Sequence, residues 1–399
     1  MTAAVFESDT DYEMQVPRWY QESELRTVSR RFINICVASI AVAGVLLTLT
    51  YSYTSASTGR TPTEPSRSHS EASSRQPEIP NIIHYTQLKK YPDSVLNFSF
   101  ESFLSLYSAV LFLSPTTIYI HTDHNASAIE TAKSSGSKWT QKVLNTFPDV
   151  VKINEVVAPS VVNGINVHIE AKSDFVRWEV LYKYGGLYID WDVLPLKDIR
   201  SLRRSGYRSV VGRQVDGSVN PGCLMTSAGS VLAELMRREG PKVFDGSWEK
   251  HSVSLCTAVS ERIANTPDEI LILDRYAMAP TAWYPDTVDN LLKPHNGTDD
   301  SPNIQTGDQL TDPMERWSAR VGERGWKQDF GMTYLLHAFK ARGHEVPYFK
   351  EITVPYILAQ NSNFAFAAGP AVNHMLEHKI ITEEDTLPIF NPFSDDSQQ

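Results

Sequence analysis

The sequence predicts an α/β domain built on a mostly parallel sheet that helices cover on both faces. From residue 79 onward, short apolar segments typical of strands alternate with longer segments of helical periodicity. This alternation is the pattern of parallel-sheet proteins. The chain has 399 residues, of which 41% are hydrophobic, so it is long enough to bury a large core.

Residues 1–78 have a different composition and predict a membrane anchor followed by a stem. Residues 32–51 form an uncharged apolar run about as long as the hydrocarbon core of a bilayer. Residues 1–31 are polar, and residues 52–78 are rich in Ser, Thr and Pro. We expect a cytosolic tail, one transmembrane helix and a flexible stem. A cleaved signal peptide and a buried core helix are the alternatives, and the run is too long for the first and lacks a polar face for the second.

The basic residues around the apolar run predict its orientation. Arg26, Arg30 and Arg31 precede the run closely, whereas the first basic residue after it is Arg60. By the positive-inside rule the N-terminus is cytosolic, which predicts a single-pass type II protein. The large domain, residues 79–399, would then be lumenal and open to N-glycosylation. Three sequons lie in it, beginning at Asn97, Asn125 and Asn296.

Four strands and two helices are predicted in the first half of the large domain. The strands are residues 80–85, 117–121, 150–157 and 187–191, and the helices are residues 94–113 and 169–184. The second helix ends at Gly185-Gly186, a helix-stop signal. Residues 286–315 predict a long loop or insertion, and residues 330–339 predict an apolar helix preceded by Asp329.

The net charge argues against a nucleic-acid partner, and the cysteine content leaves open whether a disulfide forms. The formal net charge is −10, which argues against a nucleic-acid partner because phosphate backbones need clustered Lys and Arg. The chain has three cysteines, and Cys36 lies in the apolar run. Only Cys223 and Cys256 could pair within the large domain, and two free thiols is the alternative.

Two carboxylates at the end of a predicted strand indicate a metal site. Asp190 and Asp192 follow the apolar segment 187–189, and strand alternation would put them on the same face. Two such charges repel each other unless a cation neutralises them or one of them carries a proton. Divalent cations prefer oxygen ligands, and diphosphate oxygens can complete the coordination. Ligands also bind at the carboxyl ends of strands in open α/β sheets.

The helix before this strand carries a second polar pair, Asp174 and Arg177. The two residues are three apart and therefore project to one side, beside an apolar stripe of Phe175, Trp178 and Tyr182. A surface ion pair is the structural alternative to a binding role. An Asp-x-x-Arg pattern is too short to distinguish these two roles by itself, so the neighbouring residues have to be considered.

In that context the sequence resembles the DXD glycosyltransferases of family 32, which include initiating α-1,6-mannosyltransferases and inositol-phosphoceramide mannosyltransferases. The residues that carry the resemblance are Ser173-Asp174-x-x-Arg177 and Tyr184-Gly185-Gly186-x-Tyr188-x-Asp190-x-Asp192. The opening segment, residues 79–84, resembles the first strand of that family. The resemblance is tight over about 30 residues and looser up to about Ser230.

The resemblance implies a GT-A fold, with a Rossmann-like nucleotide half, and retaining transfer of a hexose in the Golgi or endoplasmic reticulum. It implies Mn²⁺ or Mg²⁺ held by Asp190 and Asp192, a donor such as GDP-mannose or a UDP-hexose, and a glycan or sphingolipid acceptor. Asp174, Arg177 and Asp190 would contact the donor, and Arg177 would act with Asp190 and Asp192 in catalysis. His84 would lie near the nucleotide, and His168 could fill a position before the Ser-Asp pair.

The remaining assignments are alternatives. Asp329 is a candidate carboxylate for retention, or else a helix cap, and His337 and His374 are candidates for touching the diphosphate. A hydrolase is disfavoured because glycosidase carboxylates lie on separate elements. The main functional alternative is a non-catalytic or regulatory subunit of a glycosyltransferase complex, against which the intact Asp190 and Asp192 argue.

Overall fold

The computed structural model describes residues 78–295, 326–339 and 352–386. The predicted tail, the anchor and nearly all of the predicted stem lie outside these residues and stay predictions. Within the described ranges, no helix combines the length and the apolar character needed to cross a bilayer. Residues 296–315 of the predicted insertion also lie outside the described ranges.

A seven-stranded sheet forms the centre of the fold. The strands of the described chain are β1 (Ile82–Thr86), β2 (Thr117–Thr122), β3 (Val151–Glu155), β4 (Val161–Val162), β5 (Ile165–Asn166), β6 (Gly186–Ile189), β7 (Val193–Pro195), β8 (Ser209–Arg213), β9 (Val219–Thr226), β10 (Ile270–Leu273) and β11 (Leu335–His337). The sheet order is β10-β8-β9-β6-β1-β2-β3. Only β9 runs antiparallel to its neighbours β6 and β8, so the predicted mostly parallel sheet is confirmed.

Two short pairings lie outside this sheet. β4 and β5 form a small antiparallel hairpin, and β7 pairs antiparallel with β11 from far along the chain. The second pairing is decisive for the site because it brings residues 335–337 beside the segment that follows β6.

Helices connect the strands. They are α1 (Phe100–Ser108), α2 (Ala126–Ser135), α3 (Lys138–Asn145), α4 (Ile169–Tyr184), α5 (Arg200–Arg203), α6 (Val231–Val243), α7 (Leu255–Ile263), α8 (Arg275–Met278), α9 (Pro285–Leu292), α10 (Val354–Leu358), α11 (Asn363–Glu377) and α12 (Glu383–Thr386). Two π-helical turns, Ala109–Leu113 and Lys250–Ser254, extend α1 and precede α7.

Alternate residues of β6 show that both faces of the sheet are covered. Leu187 and Ile189 pack in the same cluster as Phe103 of α1, whereas Tyr188 packs with Trp178 of α4 on the opposite face. All five side chains are nearly inaccessible to solvent. The predicted two-sided burial of a parallel-sheet strand is therefore confirmed.

The junction between α4 and β6 depends on two glycines. Gly185 and Gly186 have φ values of 62° and 110°, which L side chains rarely adopt. A Cβ on Gly186 would lie 2.4 Å from the Ile82 carbonyl oxygen, and one on Gly185 would lie 2.5 Å from the Ala228 amide. The pair lets the helix end and the strand start directly against β1.

Several predicted elements need correction. The predicted helix 94–113 starts only at Phe100, because the Ser99 side chain caps it there. Residues 330–339 are not helical: they contain β11, whose backbone pairs with β7. Part of the predicted loop 286–315 is α9, which has Pro285 in its first turn, a favourable position for proline.

The two cysteines of the large domain do not pair. Cys223 and Cys256 are buried free thiols. They belong to the two clusters on opposite faces of the sheet, which keeps them apart. The alternative of two free thiols is therefore confirmed.

Candidate active site

Three potential metal ligands converge at the carboxyl end of β6. Asp190, Asp192 and His337 each offer one ligand atom, and these atoms lie within 4.8 Å of one another. Carboxylate oxygens and an imidazole nitrogen suit a divalent cation such as Mn²⁺. The three donor atoms therefore fit a divalent metal of the kind that the resemblance implies, and His337 is a further candidate ligand.

The two carboxylates come together through a turn, which corrects the prediction that strand alternation would align them. β6 ends at Ile189, and the Val193 amide donates to the Asp190 carbonyl at 3.0 Å. The Trp191 indole inside the turn donates to the Thr86 carbonyl at 2.9 Å and stacks on Tyr85. The turn is thus anchored to the end of β1.

His337 reaches the site through the β7–β11 pairing. It lies opposite Val193 in that pairing, and the next amide, Ala338, donates to the Asp192 carbonyl at 2.9 Å. The His337 Nε2 lies 3.4 Å from Asp192 Oδ1. The other ring nitrogen of His337, Nδ1, lies 2.8 Å from the side-chain nitrogen Nδ2 of Asn220. Burial lowers the pKa of His337, but the Asp192 carboxylate and the Cys223 side chain together raise it above its ordinary value.

Among the described residues, the side-chain hydrogen bonds to Asp190 reach one of its two oxygens. Its Oδ1 accepts hydrogen bonds from Arg177 at 3.1 Å and from the Tyr188 hydroxyl at 2.8 Å. The side chain of Asp190 is 32% exposed, yet desolvation raises its pKa. The nearby Asp192 charge raises this pKa further, whereas the Arg177 charge lowers it. A cation between the carboxylates would relieve that electrostatic cost.

Gly222 leaves room for the ligand group. A Cβ at this position would lie 2.6 Å from His337 Cε1 and 2.7 Å from Asp190 Oδ2. Its carbonyl also accepts the Asp190 amide at 2.9 Å. Sequence analysis missed Gly222, and a lone glycine in an apolar strand carried no signal that would identify it.

The Asp174–Arg177 pair is buried, so the alternative of a surface ion pair is wrong. One terminal nitrogen of Arg177 forms an ion pair with Asp174 Oδ1 at 2.9 Å, and the other donates a hydrogen bond to Asp190 Oδ1 at 3.1 Å. Its guanidinium also lies over the Tyr188 ring, 4.2 Å from the centroid. Burial lowers the pKa of Arg177, but Tyr188, Asp190 and Asp174 together raise it, and the group stays charged.

Asp174 has a second partner that sequence analysis did not identify. His251 Nε2 lies 3.2 Å from Asp174 Oδ2. His251 comes from the π-helical turn Lys250–Ser254, for which the sequence showed no motif. The carboxylate of Asp174 thus has Arg177 on one oxygen and His251 beside the other.

His84 lies in the middle of β1 and is fully buried. Its Nε2 donates to the Gly185 carbonyl at 2.7 Å, so its Nδ1 accepts from His121 Nε2 at 2.9 Å. His121 Nδ1 in turn accepts from the Asn154 amide at 2.8 Å. Burial lowers the pKa of His84 to about 4 and that of His121 to about 2. The predicted nucleotide contact of His84 stays a prediction, since the structure places this side chain beneath the Gly-Gly turn.

The other predicted residues lie outside the ligand group. His168 caps α4, accepting from the Ala171 amide, and stacks on Trp248. Asp329 is exposed and accepts from the Gly331 amide at 2.7 Å, so it caps a turn instead of the predicted helix. His374 lies on α11 and is hydrogen-bonded to the Tyr107 hydroxyl at 2.8 Å.

Comparison with protein families identifies the class of this site. Residues 100–208, about a quarter of the chain, match the family described as "Glycosyltransferase sugar-binding region containing DXD motif". The matched segment contains Asp174, Arg177, Asp190 and Asp192 but not His337. The match confirms the predicted resemblance to the DXD glycosyltransferases and the predicted enzyme class, a glycosyltransferase. A comparison with curated protein sequences finds no match.

Solved glycosyltransferase structures are similar at low identity. The apo form of GlyE from Streptococcus pneumoniae TIGR4 is 10% identical over 75% of this chain and 64% of GlyE, slightly less than two thirds of its length, with a TM-score of 0.40. Galactosyltransferase LgtC, in complex with donor and acceptor sugar analogs, is 11% identical over 68% of this chain and 98% of its own, with a TM-score of 0.32. Mouse xyloside xylosyltransferase 1 in its apo form is 12% identical over 64% of this chain and 96% of the xylosyltransferase chain, with a TM-score of 0.33. At these TM-scores, the case for function rests on the site and the family match.

Proposed function

We propose that this protein is a metal-dependent GT-A glycosyltransferase that transfers a hexose, mannose or galactose, from a nucleoside-diphosphate sugar to a glycan or sphingolipid acceptor with retention. The observation that carries the proposal is the convergence of Asp190, Asp192 and His337 within 4.8 Å. It supports catalysis over a non-catalytic role, because the fold brings three potential metal ligands together from two distant parts of the chain.

Each residue of the site has a physical task in this proposal. Asp190, Asp192 and His337 would hold Mn²⁺ or Mg²⁺, which supplies Lewis-acid stabilisation of the departing diphosphate. Arg177 fixes Asp190 and Asp174 at once, through its two terminal nitrogens. Gly222 keeps space beside Asp190 Oδ2 and His337. Such preorganisation reduces the rearrangement needed when charge develops.

The donor, GDP-mannose or a UDP-hexose, is tested with a panel of nucleotide sugars. The full-length protein is incubated with Mn²⁺ and each donor, and release of UDP or GDP is measured. We expect release from one donor, its loss in EDTA and its recovery with added Mn²⁺. Release from no donor, or full activity in EDTA, would contradict the proposal. With an acceptor in hand, the anomeric configuration of the product, read by NMR, tests retention.

We also propose a single-pass type II protein in the Golgi or endoplasmic reticulum. The support is the apolar run 32–51 with its basic N-terminal flank. Asn97 and Asn125 are exposed, and each uses its side-chain oxygen in hydrogen bonds, whereas a glycan attaches to the nitrogen. Glycosidase treatment of the cell-expressed protein should raise its gel mobility. An unglycosylated protein whose large domain is digested by protease in sealed microsomes would show the opposite topology.

A further inference from the structure

His251 occupies an enclosed aromatic setting beside the Asp174 carboxylate. The residue is 1% exposed. Its ring lies edge-on to Phe244, with centroids 5.0 Å apart, and 5.4 Å from the ring of Phe175. Its Nε2 approaches Asp174 Oδ2 at 3.2 Å. His251 therefore closes the side of Asp174 that faces away from Arg177.

The imidazole is poorly satisfied at this position. Within the described part of the chain, neither ring nitrogen makes a well-aligned hydrogen bond, although Nε2 is within ion-pair distance of Asp174. A ring nitrogen that faces a carboxylate carries a hydrogen, because two lone pairs would repel each other. A buried polar group without an aligned partner lowers stability. A phenylalanine would fit the same aromatic surroundings without that cost.

His251 is connected to the candidate metal site by a chain of contacts. Asp174 Oδ1 binds one Arg177 nitrogen at 2.9 Å, and the other Arg177 nitrogen binds Asp190 at 3.1 Å. His251 on one side and Arg177 on the other together restrict both oxygens of Asp174. A rotation of the imidazole would align its N–H with Oδ2 and fix the carboxylate in one orientation.

We propose that His251 is a positioning residue of the donor site, which orients Asp174 and, through Arg177, Asp190. This inference rests on the proposed function. Proteins retain a destabilising polar group where function requires it, and an aligned N–H gives Asp174 one defined direction toward the donor.

Two substitutions in the full-length protein separate positioning from packing. His251→Phe keeps the ring and removes the N–H, whereas His251→Gln keeps an N–H donor and removes the ring. We expect His251→Phe to melt at or above the wild-type Tm while kcat/KM for donor hydrolysis falls about 10- to 100-fold. His251→Gln should melt lower yet keep most of the wild-type kcat/KM. The reverse ranking of activities would overturn the proposal.

A double-mutant cycle tests whether His251 acts through Asp174. In an Asp174→Asn background, His251→Phe should lower kcat/KM by less than about twofold more, because the two changes remove one interaction. Full additivity would overturn the proposal. His378→Phe, an exposed histidine at the end of α11, is the control and should leave turnover unchanged. A wild type that hydrolyses no donor would refute the proposed function and this inference together, whereas an active wild type with a fully active His251→Phe would refute the inference alone.

Discussion

Two regions of the molecule use buried histidines in opposite ways. In the middle of the sheet, His84 and His121 are neutral, and each ring nitrogen has a hydrogen-bond partner. At the carboxyl end of β6, His337 lies against the Asp192 carboxylate, and Asp192 and Cys223 raise the pKa of His337 although burial opposes this. In the first region the histidine nitrogens are all hydrogen-bonded within the protein. In the second region two carboxylates, Asp190 and Asp192, lie close together, and a bound cation would balance their negative charge. Changes in the first should therefore alter stability, and changes in the second should alter activity.

Asp192→Ala tests this division most strongly. The substitution removes one of the three candidate ligands and one of two repelling carboxylates. We expect donor hydrolysis to fall by about 10³-fold or more, the range for losing a group that stabilises transition-state charge, while the protein stays folded. Donor hydrolysis with saturating Mn²⁺ and thermal melting measure the two effects. An unaffected Asp192→Ala would place the chemistry elsewhere.

Arg177→Lys should give the second-largest effect. Lysine keeps the charge but cannot bridge Asp174 and Asp190 with a planar fork. We expect kcat/KM to fall about 10- to 150-fold, equivalent to about 1.5–3 kcal/mol, with the protein still folded.

Arg237→Lys is the matched control. Arg237 pairs with Glu234 three residues away and lies 4.2 Å from the Tyr182 ring centroid, as Arg177 does with Asp174 and Tyr188. Its side chain is 30% exposed, and an ion pair that is open to solvent contributes little to stability. Equal kinetic effects in both variants would remove the special role of Arg177.

Gly222→Ala tests the space beside the ligand group. The added methyl would press on Asp190 Oδ2 and His337. We therefore expect the Mn²⁺ concentration that gives half-maximal activity to rise at least about tenfold, and the free energy of unfolding to fall by about 1–3 kcal/mol. In Gly240→Ala, within α6, the nearest atom is 3.8 Å away, and this control should be stabilised by about 0.5–1 kcal/mol. If Gly222→Ala titrates with Mn²⁺ as the wild type does, the side chains of Asp190 and His337 can shift to make room for the methyl group, and the prediction is wrong.

The last prediction concerns the pH dependence of stability in the region of His84 and His121. The folded pKa values of His84 and His121 lie below the ordinary value of 6.5, so the unfolded chain binds protons first as the pH falls. Their contribution to stability is complete above 6.5 and decreases below it, by up to about 1.4 kcal/mol per pH unit for each histidine, until the folded pKa is reached. Urea unfolding between about pH 7 and 5 measures this slope. An equal slope in His121→Asn would show that the pair does not cause it.

Local patterns predicted much of the framework. The helix at residues 169–184 was predicted with its observed bounds because periodicity and the Gly-Gly stop are both local signals. Asp190 and Asp192 were also predicted to be neighbours, although through a strand instead of a turn.

Long-range pairing explains what the sequence did not reveal. His337 joins the site only because β11 pairs with β7, and the apolar segment 330–339 has no strand signal that distinguishes it from a helix. His251 and Gly222 matter through contacts with residues far along the chain, which no local spacing expresses.

The β7–β11 pairing has a consequence for biosynthesis. Asn220 and His337, which hydrogen-bond at the site, are 117 residues apart in the chain. Closing so long a loop carries an entropy cost, and contacts between distant residues form slowly. During translation, the segments up to Asp192 emerge long before His337 does. We therefore expect the nascent protein to acquire its full set of metal ligands only late in synthesis, after the central sheet has had time to form.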